Sequence, residues 1–221
     1  MRAGAFLSYL TAADRHHLLG QGIRRTFGPG ELMLREDDPS DHVFLLVSGH
    51  VRVSRTLADG REVLFALRGP GDIIGELAAV NGWSRMASVR SVEPTSVIQL
   101  TGGQFLATVR ARPDVALALV RTASVRLRQA QDARVGSAVL DVSHRVAVYL
   151  VRLTEEHGRP TEEGILLDTP LTQQDIANQV GASRRAVART MALLRGRGVV
   201  TTGRKRIVVA QPQVLRSFAG L

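Results

Sequence analysis

The stretch from Leu171 to Thr190 leaves a chain few alternatives. Thr172 followed by Asp175 is a variant capping box that starts one helix, Gly181 permits a tight turn, and Ser183 caps a second helix. Ile176, Ala177, Val180 and Val187 are spaced so that the two helices close on a small apolar contact, Ala177 being short enough to let the backbones approach. This is a helix-turn-helix. Its second helix carries Arg184, Arg185 and Arg189 on the N-terminal, outward side, where a recognition helix presents side chains to the major groove. Thr172, Gln173 and Ser183, at the two helix starts, complete the helical set expected to touch DNA. After Gly198, Val199–Thr201 and Ile207–Val209 read as two strands around a basic turn holding Arg204 and Lys205, a wing able to lie on the phosphate backbone.

Charge distribution agrees with that reading. Residues 1–110 carry twelve basic against eleven acidic side chains, whereas residues 168–221 carry nine against two. Clustered cations over so short a stretch repel one another unless phosphates neutralise them, so a polyanion such as duplex DNA is the expected partner of the C-terminal module. A solvated basic face is the bland alternative. The absence of cysteine removes disulfides, thiolate metal sites and cysteine nucleophiles, and points to a reducing cytoplasmic location. No run approaches the roughly 18 apolar residues of a membrane span, so no membrane partner is expected.

From Phe27 to Leu100 short apolar or alternating runs are separated by Gly, Pro and Asp, the pattern of strands and turns. Val43–Val47 is a continuous apolar run suited to a strand buried on both faces, His50–Arg55 alternates with period two, and Glu62–Leu67 returns after the Asp59-Gly60 turn. A compact antiparallel roll or barrel closes such strands. Chemistry enters at Gly75-Glu76-Leu77, where a glycine lets backbone approach a ligand and a short helical turn aims N–H groups at an anion. Glu76 can accept from a ribose hydroxyl, and Arg85 offers the planar donor fork that suits a phosphate. Taken alone, the pair reads more readily as an incidental surface couple on a turn.

Pro29-Gly30-Glu31, Ser48-Gly49-His50-Val51, Pro70-Gly71-Asp72, Gly75-Glu76-Leu77 and the Arg85 segment, in that order, resemble the cyclic-AMP receptor protein and fumarate-nitrate regulator family of bacterial regulators, and the likeness continues to about Val209. The resemblance implies an α+β chain: a cyclic-nucleotide-binding-type β-roll over residues 1–112, a dimerisation helix over 113–139 and a winged helix-turn-helix over 140–221. It implies that residues at Gly75 and Glu76 hold phosphate and ribose, and that the one at Arg85 pairs with the cyclic phosphate. Two positions depart. Met86 stands where the family has Ser or Thr bonding the phosphate, and a thioether cannot donate. Ala130 and Gln131 stand where the cyclic-AMP receptor reads adenine with Thr and Ser; Ala130 cannot read a base edge, whereas Gln131 can. Gly75, Glu76, Leu77, Arg85, Met86 and Gln131 are thus the expected ligand set, with cyclic AMP or another cyclic nucleotide as effector and no metal or haem. In the reading helix an Arg, Glu, Arg set has become Arg184, Arg185 and Arg189, so an acceptor facing cytosine is now a donor, and guanine is the facing base expected.

Between the halves, Pro113 sits where a helix would begin. Ala116, Val120, Ala123, Leu127, Ala130, Arg134 and Ser137 recur at alternating spacings of four and three, a coiled-coil seam that predicts a parallel homodimer. An amphipathic helix packed on its own roll is the alternative, and one helix can do both. Leu140–His157 reads as the next helix, with Val146, Leu150 and Leu153 inside, and 158–164 as a polar loop. The expected function is effector-controlled, sequence-specific transcription regulation by a dimer on a palindromic operator, with RNA polymerase as a further partner. The alternatives are effector-independent DNA binding, or a nucleotide sensor whose basic module makes protein or non-specific DNA contacts. Catalysis is not expected, since His16, His17, His42, His50, His144 and His157 share no spacing with acids that builds a metal site or triad.

Overall fold

In a computed structural model, residues 4–58, 60, 62–167, 171–203 and 206–221 are described, without the side chains of 133–135 and 137–139. Asp59, Arg61, Arg204 and Lys205 therefore lie outside the described residues, as do the side chains of Arg134 and Ser137. The chain divides into two compact units, 1–127 and 128–221.

The first unit opens with a short 3-10 turn, Phe6–Tyr9, and helix α1, Ala12–Gln21. Eight strands follow: β1 Ile23–Phe27, β2 Leu32–Leu34, β3 Val43–Ser48, β4 Val51–Thr56, β5 Glu62–Arg68, β6 Ile73–Ile74, then β7 Ser88–Ser91 and β8 Thr95–Leu100, with helix α2, Glu76–Asn81, between β6 and β7. They form two four-stranded antiparallel sheets, in the orders β1-β8-β3-β6 and β2-β7-β4-β5. Helix α3, Gly102–Ala111, and the long helix α4, Pro113–Val139, come next.

The continuous apolar run in β3 is explained by its two neighbours. Val43 and Leu45 face a core shared with Phe6, Leu18 and Phe105 on the helical side. Phe44 and Leu46 face a second core, inside the roll, with Leu34, Val51, Val89 and Val97. β6 divides likewise, Ile73 to the first core and Ile74 to the second. Strict alternation fails in β4, where Val51 and Ser54 are the buried positions. The register with β5 shifts there, Val53 pairing with Ala66 and Ser54 with Leu64 so that Phe65 of β5 is the extra residue, and the inward Ser54 donates its hydroxyl to Glu62.

Helix α4 buries Val115 and Ala118 against the first core, and Thr122 turns its hydroxyl back onto the Ala118 carbonyl at 2.8 Å. Its seam residues Val120, Ala123, Leu127 and Ala130 are exposed, Val120 and Leu127 by 61% and 60%. So the packed face and the seam are different faces of one helix.

The second unit departs from the expectation at two places. Helix α5 runs from Val142 to His157, not from Leu140, because the Asp141 carboxylate accepts from the His144 N–H at 2.9 Å and caps it. The polar stretch 158–164 is largely a hairpin, with β9 Arg159–Thr161 paired to β10 Gly164–Leu167. β9 is exposed throughout and carries a proline, so no apolar alternation announces it. Gly164 has φ 123°, and a Cβ there would stand 2.3 Å from the Val209 carbonyl oxygen.

Helices α6, Gln173–Val180, and α7, Arg184–Gly196, are followed by β11 Val200–Gly203, β12 Arg206–Val209 and helix α8, Pro212–Phe218. The small sheet has the order β11-β12-β10-β9. Val146, Leu150 and Leu153 of α5 are buried, as are Ile176, Ala177, Val180 and Val187 at the α6–α7 contact. Ile176 is 1% exposed. Ile176→Ala should therefore cost about 2–5 kcal/mol, read in thermal or denaturant unfolding as an earlier transition of the second unit.

Candidate functional site

A cavity of about 230 Å³ opens in the first unit, walled by β5, β6, α2, the segment that follows it and Arg126 of α4. Gly75, Glu76, Leu77, Arg85 and Met86 all line it. Much of the remaining wall is apolar, including Leu34, Val53, Phe65, Ile74 and Val89.

Arg85 is buried, at 3% exposure. Its Nε donates to Ser40 Oγ at 3.2 Å, Nη1 to the Gly75 carbonyl at 2.8 Å and Nη2 to the His42 carbonyl at 2.5 Å. Its own backbone is clamped, since the Arg85 N–H donates to the Asp38 carbonyl and the Asp37 N–H to the Arg85 carbonyl. Burial pulls the guanidinium below its usual range, while the Asp38, Asp41 and Glu76 carboxylates oppose the shift. An arginine so placed stays charged. It is both part of the cavity wall and a tie between the 38–42 loop and the start of α2.

Gly75 precedes α2 at φ 84°, and a Cβ there would meet Arg85 Nη1 at 2.7 Å and the His42 carbonyl oxygen at 2.9 Å. Conformation and space both demand glycine. Glu76 is 9% exposed, and its Oε1 accepts from Arg126 Nη1 at 2.6 Å, Arg126 Nη2 reaching the Ile73 carbonyl at 2.8 Å. The carboxylate retains acceptor capacity on its second oxygen. Met86 is 57% exposed at the cavity edge. Gln131 is an exposed residue of α4 and belongs to the second unit.

Arg68, Ser84 and Arg126 are lining residues that sequence reasoning did not single out. The available signal for Arg126 was its place beside Leu127 in a helix whose other face packs on the roll. Ser84 immediately precedes Arg85, yet spacing alone does not say which neighbours share its wall.

In the second unit the expected capping box is formed. The Thr172 N–H donates to Asp175 Oδ2 at 2.8 Å, the Asp175 N–H to Thr172 Oγ1 at 3.1 Å, and the Thr172 hydroxyl to the same carboxylate at 2.7 Å. Gly181 ends α6 at φ 62°, and Ser183 Oγ accepts from the Ala186 N–H at 3.2 Å. Arg184, Arg185 and Arg189 are exposed on α7, and Gln173 is half-buried. Arg145 of α5 was not anticipated. It donates to the carbonyls of Val180, Gly181 and Leu140 at 2.8, 3.2 and 2.7 Å, and so fixes the turn between α6 and α7.

Comparison with known proteins agrees with both halves. Residues 24–112 match the family model "Cyclic nucleotide-binding domain" and residues 144–218 the "Crp-like helix-turn-helix domain". The chain is 30% identical over 196 residues to the "Cyclic AMP receptor protein" of Thermus thermophilus, covering 89% of this chain and 88% of that one. It is 28% identical over 189 residues to the "CRP-like cAMP-activated global transcriptional regulator" of Mycobacterium tuberculosis, with 86% and 84% covered. Among solved structures it superposes on FixK2 from Bradyrhizobium japonicum with a TM-score of 0.76 at 25% identity, covering 89% of this chain and 96% of that one. The chain belongs to the cyclic-AMP receptor protein and fumarate-nitrate regulator family. It is a DNA-binding transcription regulator with a cyclic-nucleotide-type sensor domain, not an enzyme. No helix among the described residues is long and apolar enough to cross a membrane.

Two outcomes test the site's construction. Gly75→Ala should cost about 1–3 kcal/mol for the left-handed backbone alone, measured by chemical denaturation of the full chain. His42 is held below its usual pKa by burial and then by Arg85, with Asp41 and Asp38 opposing. The folded state thus binds fewer protons than the unfolded one, so stability is full above the unfolded value near 6.5 and falls as pH drops through it. His42→Gln should flatten the loss of stability between about pH 7 and pH 5, followed by urea midpoints at each pH.

Proposed function

We propose that this chain is a homodimeric, cytoplasmic regulator that reads a palindromic operator through α7 and the wing, and whose affinity is set by a cyclic nucleotide, with cyclic AMP the leading candidate, in the roll. The observation that carries the effector part is the convergence of Gly75, Glu76, Leu77, Arg85 and Met86 on one cavity. The cyclic-AMP receptor named above supports the same ligand class. Gln131 is the candidate for reading the base. For the DNA part, the support is the set of exposed arginines, Arg184, Arg185 and Arg189, none with a protein partner among the described residues. Thr172, Gln173 and Ser183 flank them, and Arg204 and Lys205 would supply the wing's phosphate contacts. RNA polymerase is the further partner proposed.

The dimer reading rests on Val120, Ala123, Leu127 and Ala130, apolar residues left exposed at seam spacing. Half-sites would follow the family's separation of about one helical turn. A second reading, DNA binding without an effector, is favoured by one feature: Glu76 and Arg85 are already engaged by protein groups.

Selection of bound sites from random DNA, with and without a panel of cyclic nucleotides, distinguishes the two. Enrichment independent of every nucleotide would support the second reading. Arg185→Ala should change the preferred base at one position per half-site, at about 1–3 kcal/mol, while Lys205→Ala should weaken all sequences alike and reduce the salt slope by about one. An unchanged motif for Arg185→Ala would remove its assigned role. Leu127→Asp should give monomers on sedimentation that no longer hold the palindrome.

A further inference from the structure

An anion in this cavity needs donors, and the lining arginines Arg68, Arg85 and Arg126 each already donate to protein groups. Arg85 commits three of its five N–H groups to Ser40, Gly75 and His42, which leaves one on each of Nη1 and Nη2. Arg126 is turned to Glu76 and to the Ile73 carbonyl. Met86, directly after Arg85, lines the wall with a thioether that cannot donate.

Ser84, directly before Arg85, lines the same wall. It carries the only hydroxyl there among the described residues. Ser84 is exposed and its hydroxyl has no protein partner among the described residues, so it can rotate toward whatever occupies the cavity. The chain from Gly82 to Arg85 is neither helix nor strand, and no ladder restrains this side chain.

We propose that Ser84 is a phosphate-binding contact of this pocket: its Oγ–H donates to an anionic phosphoryl oxygen of the cyclic nucleotide seated over Arg85, while the Met86 thioether lies against the ligand's apolar surface. The hydroxyl thus stands on the N-terminal side of the arginine. This rests on the cyclic-nucleotide reading of the cavity given above.

Calorimetry of the full chain with cyclic AMP and cyclic GMP tests it. Ser84→Ala should weaken both nucleotides by the same factor, about ten- to a hundredfold, the effect of one hydrogen bond to a charged group. Ser84→Thr should keep most of the affinity. Adding Met86→Ser to Ser84→Ala should recover part of the loss, by returning a hydroxyl from the other neighbour of Arg85. Because Ser84 is exposed, its substitutions should leave the thermal midpoint in place, which separates a lost contact from a lost fold. Unchanged affinity in Ser84→Ala overturns the role of Ser84 and leaves the cavity reading standing. A loss confined to one of the two nucleotides also overturns it, because the contact would then be with the base. If neither nucleotide binds the wild type or Met86→Ser, the cyclic-nucleotide reading itself fails, and the proposal falls with it.

Discussion

The sensor unit is organised around one buried cation. Taking a guanidinium out of water is costly unless its donors are met and opposite charge stands near. For Arg85 both conditions hold: carbonyls of Gly75 and His42 and the Ser40 hydroxyl take its N–H groups, with Asp38, Asp41 and Glu76 as the nearby carboxylates. Much follows from this. Gly75 must be glycine because Arg85 Nη1 and the His42 carbonyl occupy the space a Cβ would need. The 38–42 loop is held to the Arg85 segment by paired backbone bonds, so β3 and β7 approach the cavity from fixed directions.

Helix α4 extends that organisation along the chain. Its inner face belongs to the first core through Val115 and Ala118, and one turn after Thr122 the same helix sends Arg126 to Glu76. Leu127 follows immediately on the exposed seam. A ligand that competes for Glu76, or adds to its contacts, therefore acts on a residue covalently adjacent to the seam. Neighbouring positions on a helix point in different directions, so one turn of α4 can face a cavity and a partner together. This adjacency is a physical route by which occupancy could bias association, since a ligand shifts an equilibrium only through contacts that differ between states.

The legible parts of the sequence were those governed by local chemistry. Thr172 with Asp175, Gly181 and Ser183 each act within a few residues, and all are found in the roles their residue types imply. The run Val43–Val47 was legible because burial on both faces leaves no polar position in the pattern. Where the outcome depended on distant partners, the sequence was silent. Nothing local says that Arg85 would meet carbonyls 10 and 43 residues away, or that Arg126 would cross 50 residues to Glu76. The β9–β10 hairpin was missed because its pairing is fixed by Gly164 and by β12, not by any alternation within Arg159–Thr161. The two-residue period that β4 displays in the sequence breaks at Ser54, buried where β5 carries the extra residue Phe65.

The second unit solves a different problem, which is to keep charge exposed on a small scaffold. Arg184, Arg185 and Arg189 can face solvent together because α7 anchors itself on its opposite side, through Val187, Met191 and Leu194. The angle between α6 and α7 then decides where those guanidinia point. Gly181 permits the turn, yet a glycine also makes it easy to deform. Arg145 restrains it from outside, by donating to the Val180 and Gly181 carbonyls where α6 ends and the turn begins. A charged donor on α5 thus does for the reading head what Arg85 does for the sensor: in each unit an arginine bonded to main-chain carbonyls fixes the backbone from which the functional side chains project.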